Sequence, residues 1–208
     1  MPAPSRKALA SSAFFVVSLC ASREALAVEN EWHVGGAFGY SMLVTSVGSI
    51  SGGGGLVHFR YGLTDALDLA FDGGVSGFPP TLLVPEADPE NPGAAPGEPV
   101  QAPSFRMMDT EAGLSYVGDV GRFIPHVGVQ AGVSDLMVVS CDDNPDACGQ
   151  DIRPTIGIPA GFEVRTVGPL VLGAHFRYRF LIGGDPSGQL FAGAYFAFVP
   201  NPKIESAF

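Results

Sequence analysis

Long apolar runs, basic charge and cysteine are all scarce in this chain of 208 residues. After Ala27, no stretch reaches the ~18 consecutive apolar residues that a membrane-spanning helix needs. The 11 Lys and Arg residues stand against 21 Asp and Glu residues, which gives a net charge of −10. Binding to phosphates needs a basic surface, so this charge excludes nucleic acid as a natural partner.

The N-terminus predicts a cleaved signal peptide. A short basic region precedes an apolar run over residues 8–20, and Ala25-Leu26-Ala27 matches an A-x-A cleavage site. We therefore expect residues 1–27 to be removed and the mature chain, 28–208, to be exported. Lipoprotein processing at Cys20 is the alternative, but a leucine stands where such sites need a small residue.

The mature chain keeps two cysteines, Cys141 and Cys148, in a compartment that is expected to be oxidising. We expect one local disulfide between them. Asp142, Asn144 and Asp146, which lie between the two cysteines, have the 1, 3, 5 spacing of a calcium loop. The glycine at position six and the acid at position twelve of such a loop are missing, so we expect no metal and no other cofactor.

A strict alternation of residue types runs from Leu170 to Phe180. Apolar and aromatic residues occupy every second position, with glycine, histidine and arginine between them. Successive side chains of a strand point to opposite faces, so one face is apolar and the other polar. An apolar outside and a polar inside are typical of a membrane-spanning β-barrel.

The alternation recurs and predicts eight strands, most of them near the ~9–11 residues that a tilted transmembrane strand needs. The predicted strands are 31–42, 55–61, 67–76, 108–116, 125–133, 156–165, 170–180 and 189–199, the last being apolar on both faces. Short connections (62–66, 117–122, 166–169) alternate with longer ones (43–54, 77–104, 134–154, 181–188). We predict an all-β, eight-stranded antiparallel up-and-down transmembrane barrel with its short turns and both termini at the periplasm.

Three motifs resemble those of a known family. Tyr61-Gly-Leu-Thr-Asp65 resembles a strand–turn–strand signature, and residues 125–132 resemble a Pro-aromatic-Val-Gly-x-Gly strand with His126 in place of the aromatic. Gly193, Phe196 and Phe198 are similar to the insertion signal of a final strand. The chain thus resembles the OmpA/OmpX-like group of small Gram-negative outer-membrane barrels. This resemblance implies an outer-membrane location, contact with outer-membrane lipid and recognition by the barrel-assembly machinery.

Polar residues on the inward faces predict a network in the lumen. An unpaired charge in a low-dielectric lumen costs several kcal/mol, so we expect the charges to be paired. An eight-stranded barrel is about wide enough for side chains only, so the network should fill it. The predicted network comprises His58, Arg60, Asp68, Asp72, Asp109, Glu111, His126, Gln130, Glu163, Arg165, His175, Arg177 and Arg179, with His33 on the same face.

These patterns favour a monomeric, non-catalytic barrel that serves envelope structure or surface interaction. A surface partner would bind through the long acidic loops 77–104 and 134–154. One alternative is a narrow porin-like channel for small solutes. Another is a lipid A-modifying enzyme using Ser115, His126 and Glu111, although no G-x-S-x-G motif is present. The last alternative is a soluble lipocalin-like binder, which would require the arginines of 170–180 to face solvent.

Overall fold

A computed structural model describes residues 30–46, 48–83, 100–118, 120, 122–139, 149–166 and 168–200. The expected signal peptide, disulfide and calcium-loop residues and the tail 201–208 lie outside these ranges. Within them no helix is long and apolar enough to cross a membrane. The strands are β1 (Trp32–Thr45), β2 (Gly48–Thr64), β3 (Leu67–Phe78), β4 (Thr81–Leu83), β5 (Val100–Ala102), β6 (Phe105–Val117), β7 (Phe123–Val138), β8 (Gln150–Arg165), β9 (Leu170–Leu181) and β10 (Gly188–Phe198).

Eight of these strands close into one antiparallel barrel. Around the barrel the order is β1, β2, β3, β6, β7, β8, β9 and β10, and β10 pairs with β1. The closing pair extends from Val34 opposite Phe198 to Val44 opposite Gly188. The predicted all-β, eight-stranded architecture is confirmed.

The barrel has two different ends. The lower end holds the start of β1, the end of β10 and the connections 65–66, 118–122 and 166–169. The upper end holds the four other connections. The longest of these joins β3 to β6 and contains the small sheet of β4 and β5, which the sequence did not predict.

Two predicted loops contain long stretches of strand, so their expected lengths were wrong. β1 and β2 remain paired up to Thr45 opposite Gly48, and the glycines of 52–54 lie inside β2 rather than in the predicted loop 43–54. Similarly, β7 extends to Val138 and β8 begins at Gln150, which shortens the predicted loop 134–154. Glycine usually weakens a strand. Here it permits close packing, because a Cβ on Gly52 would lie 2.0 Å from the Gly77 carbonyl oxygen.

The outer face of the barrel is an apolar belt. Val57 is 70% exposed and Phe38 64% exposed, although neither lies in a loop. Near the lower end Trp32 packs on Tyr61, with ring centroids 4.6 Å apart. A continuous apolar surface of this kind is rare in soluble monomers, so it indicates a surface that faces lipid.

Candidate functional site

The inward-facing polar residues predicted from the sequence lie inside the barrel. Arg165 is the exception, since it is partly exposed at the lower end. The buried members are His33, His58, Arg60, Asp68, Asp72, Asp109, Glu111, His126, Gln130, Glu163, His175, Arg177 and Arg179. They separate into two ion clusters at different heights, with a layer of aromatic rings between them.

The upper ion cluster consists of Asp72, Asp109, Glu111, Arg177 and Arg179. Arg179 Nη2 donates to Asp109 Oδ1 at 2.6 Å, and its Nε donates to Glu111 Oε1 at 2.8 Å. Arg177 Nη2 donates to the same Asp109 oxygen at 3.1 Å, and its Nη1 lies 3.8 Å from Asp72 Oδ2. Two guanidiniums thus share three carboxylates in the centre of the barrel.

Gln189 connects the upper ion cluster to the neighbouring strands. Its side-chain oxygen accepts a hydrogen bond from Arg179. Its amide nitrogen donates to Ser41 Oγ at 2.8 Å and to Ser76 Oγ at 3.0 Å. Sequence reasoning missed Gln189, because the eighth predicted strand is apolar on both faces and its single polar residue was not weighed.

The lower ion cluster consists of Glu31, Arg60, Asp68, Glu163 and Arg165. Arg60 pairs with Glu163, and its Nη1 lies 3.6 Å from Asp68 Oδ2. Arg165 Nη2 donates to Glu31 Oε2 at 2.9 Å. Again two guanidiniums meet three carboxylates. Glu31 was not in the predicted network, although it begins the first predicted strand.

Three imidazoles and one phenol lie between the two ion clusters. His58 is hydrogen-bonded to Asp72. The ring of His175 lies 5.9 Å from that of His58, 6.0 Å from that of His126 and 6.3 Å from that of Tyr195, measured between centroids. Among the described residues, no group of three His, Cys, Asp or Glu side chains is arranged to hold a metal ion. The rings contact one another between the two ion clusters.

An apolar layer lies above the upper ion cluster, and we call it the apolar seal. Six strands contribute one buried side chain each, and Phe105 packs against them. The buried members are Leu43, Ile50, Phe78, Met107, Leu136 and Leu181. Most of them lay in predicted loops, so the sequence reading did not place them in the lumen. The seal lies between the polar interior and the upper end of the barrel.

The residues of the enzyme alternative do not form a hydrogen-bonded triad. Neither ring nitrogen of His126 has a hydrogen-bond partner among the described residues, so Ser115 does not donate to it. The Glu111 carboxylate is bound by Arg179 and accepts from Thr155 at 2.9 Å. The lipocalin-like alternative is wrong, because the arginines of β9 face inward and its phenylalanines outward.

A closed eight-stranded antiparallel barrel with an apolar belt and an ion-paired interior defines the small outer-membrane β-barrels. The chain has this fold, and its apolar belt suits a lipid bilayer.

Solved structures support this assignment. The crystal structure of Neisserial surface protein A is similar, with a TM-score of 0.57 and 14% sequence identity, and the match covers 80% of this chain and 96% of that one. The outer-membrane protein OprG from Pseudomonas aeruginosa is also similar, with a TM-score of 0.51, 10% identity and coverage of 82% and 93%. No protein-family model and no curated sequence matches the chain. These likenesses concern the fold.

Proposed function

We propose that this protein is a non-conducting, non-catalytic barrel that serves envelope structure or surface interaction. The apolar seal carries the proposal. It lies across the lumen above two ion clusters whose charged side chains are bound to one another. A hydrated ion entering this lumen would have to displace buried apolar side chains and then compete with paired charges, and both steps are costly.

Surface interaction would depend on the upper end, which we assign to the cell exterior. This assignment follows from the usual asymmetry of such barrels, whose short turns face the periplasm. The sequence between β4 and β5 supplies Glu86, Asp88, Glu90 and Glu98 with no basic residue. The predicted loop 77–104, together with the β7–β8 connection that remains of the predicted loop 134–154, would therefore be the acidic part of the exterior where a surface partner binds.

Assembly would depend on the last strand. β10 closes the barrel against β1, and Phe196 and Phe198 are exposed on its outer face. We assign Gly193, Phe196 and Phe198 to the signal recognised by the barrel-assembly machinery. The mature protein would insert as a monomer and contact lipid around its whole circumference.

Conductance in planar lipid bilayers tests this proposal. We expect no stable unit steps from the folded protein, because the seal and the ion clusters leave no open path. A porin reconstituted in the same way provides the positive control, and detergent alone the negative one. Stable unit steps would overturn the proposal and favour a narrow channel. A changed lipid A mass on overexpression would instead favour the enzyme alternative.

A further inference from the structure

The upper mouth of the barrel contains an open cavity of about 330 Å³. Leu43, Ile50 and Leu136 are shared between this cavity and the apolar seal, so they form its floor. The wall includes Arg153 on β8 and Asp185 in the connection between β9 and β10. The cavity lies on the outer side of the seal, so it is separate from the ion-paired lumen.

The size and floor of the cavity suit the apolar part of a small ligand. Ligand pockets commonly enclose ~300–1,000 Å³, so this cavity is at the small end of that range. At ~30 Å³ for each water-sized group, it has room for roughly ten non-hydrogen atoms. Water above an apolar floor has few hydrogen-bond partners, so an apolar group that displaces it gains free energy.

Among the described residues that line the cavity, the one arginine is already engaged. Arg153 Nε donates to Asp151 Oδ2 at 2.8 Å, and Nη2 donates to the same carboxylate. Nη1 donates to the Pro186 carbonyl oxygen at 2.8 Å, and Nη2 donates to the Asp185 carbonyl oxygen at 2.9 Å. The guanidinium therefore holds the wall together and has little capacity left for an anion.

The carboxylates that line the cavity retain capacity for a cation. The Asp151 side chain is 48% exposed, and both hydrogen bonds from Arg153 end on its Oδ2. Asp185 accepts from Ser46 N at 2.9 Å and from Ser46 Oγ at 2.6 Å. An ionised carboxylate accepts about four hydrogen bonds. Among the described lining residues, two carboxylates against one guanidinium leave one net negative charge.

We propose that this cavity binds a small cationic amphiphile, with an ammonium group at Asp151 and Asp185 and an apolar body on the seal. The proposal goes beyond the structural or surface role above, since it assigns a ligand to the mouth of the barrel. The site is preformed, because Arg153 joins β8 to the β9–β10 connection and Asp185 joins that connection to Ser46. A preformed site spends little of its binding free energy on ordering the protein.

The direct test compares two ligands of matched size and opposite charge. The mature protein is reconstituted in nanodiscs of zwitterionic lipid, and binding is measured by isothermal titration calorimetry. Empty nanodiscs correct for partitioning into lipid. We expect 3-phenylpropylammonium to bind saturably and 3-phenylpropionate to bind at least tenfold more weakly. Equal binding of the two, or no saturable binding of the cation, would overturn the proposal.

Variants locate the binding. A Cβ on Gly149, which lines the cavity, would meet no atom within 4 Å, so Gly149→Phe should add a ring at the cavity without displacing the wall. We expect this variant to abolish binding of 3-phenylpropylammonium. The variant should still fold, which is shown by different gel migration of unboiled and boiled samples. Unchanged binding by this variant would show that the ligand binds elsewhere and would refute the site.

A matched pair of charge variants separates a specific site from general attraction to an acidic surface. Asp151→Asn removes a carboxylate from the cavity wall. Asp135→Asn removes a carboxylate from the outer face of β7, at the same end of the barrel. The Asp135 carboxylate accepts a hydrogen bond from the Gln150 side chain at 2.6 Å. We expect at least fivefold weaker binding for Asp151→Asn and no change for Asp135→Asn. Equal weakening by both would overturn the proposal.

Discussion

Arg179 illustrates how the ion-pair partners of a single residue are determined in this barrel. The sequence places it on an inward face and predicts that an acidic residue elsewhere on the inward faces neutralises it. The structure selects Asp109 and Glu111 on β6, at the same height across the lumen, with Gln189 beside them. Asp68 and Glu163 face the same lumen but lie at the lower end, where they pair with Arg60.

Removing Arg179 should strongly destabilise the barrel. Arg179→Met would leave two buried carboxylates without their main partner, and breaking a buried ion pair in this way costs about 3–5 kcal/mol. Urea unfolding in lipid vesicles measures the free energy of unfolding, with Trp32 as the single tryptophan reporter. Adding Glu111→Gln to the variant should recover part of the loss, because one uncompensated charge is then gone.

Arg106→Gln is the control for this prediction. Arg106 is exposed on β6, and its loss changes the net charge by the same amount. We expect the free energy of unfolding to change by no more than about 0.5 kcal/mol. If Arg106→Gln and Arg179→Met were equally destabilising, total charge rather than pairing in the lumen would explain the loss.

Among the strands, the closing pair of β1 and β10 depends on glycine. Gly39 lies opposite Gly193, and a Cβ on Gly39 would lie 2.2 Å from the Ala192 carbonyl oxygen and 2.4 Å from Gly193 Cα. Similarly, a Cβ on Gly35 would lie 2.1 Å from the Phe196 carbonyl oxygen. Backbones of β1 and β10 therefore approach closely on the inner face, and a larger residue would force them apart.

Gly39→Ala should weaken this pair, whereas Gly53→Ala should not. Overpacking at Gly39 is expected to lower the free energy of unfolding by about 1–3 kcal/mol. At Gly53 on β2 the nearest atom to an added Cβ lies 3.7 Å away, which is ordinary contact. The same urea titration compares the two variants. Equal effects would mean that loss of glycine flexibility, rather than the close approach, determines the cost.

The whole molecule is asymmetric along the barrel axis. Three turns, the start of β1 and the end of β10 lie at the lower end, and the cavity lies at the upper end. The lower end contains the β6–β7 connection with Arg122, and the upper end contains Gly149 before β8. Outer-membrane barrels place their short turns in the periplasm. Intact cells should therefore expose Gly149 and shield Arg122.

Cysteine labelling tests this orientation. In a background without the native Cys141 and Cys148, we expect a bulky impermeant maleimide to label Gly149→Cys in intact cells. The same reagent should label Arg122→Cys only after the outer membrane is permeabilised. Labelling of Arg122→Cys alone in intact cells would reverse the proposed orientation and move the cavity to the periplasm.

The sequence determined the number of barrel strands, their inner and outer faces and the membrane class of the protein. Alternation of side chains is a local property of a strand, so residues 170–180 indicate their two faces without reference to any other strand. Most members of the buried polar network could be predicted for the same reason, because they lie on the inner faces of the strands.

Only the tertiary structure decided the lengths of the strands, the ion pairs, the apolar seal and the cavity. Strand pairing overrides the tendency of glycine to end a strand, which is why residues 52–54 lie in β2. Leu43 and Leu181 are 138 positions apart in sequence yet meet in the seal. Such contacts depend on the register around the closed barrel, and no local pattern in the sequence specifies that register.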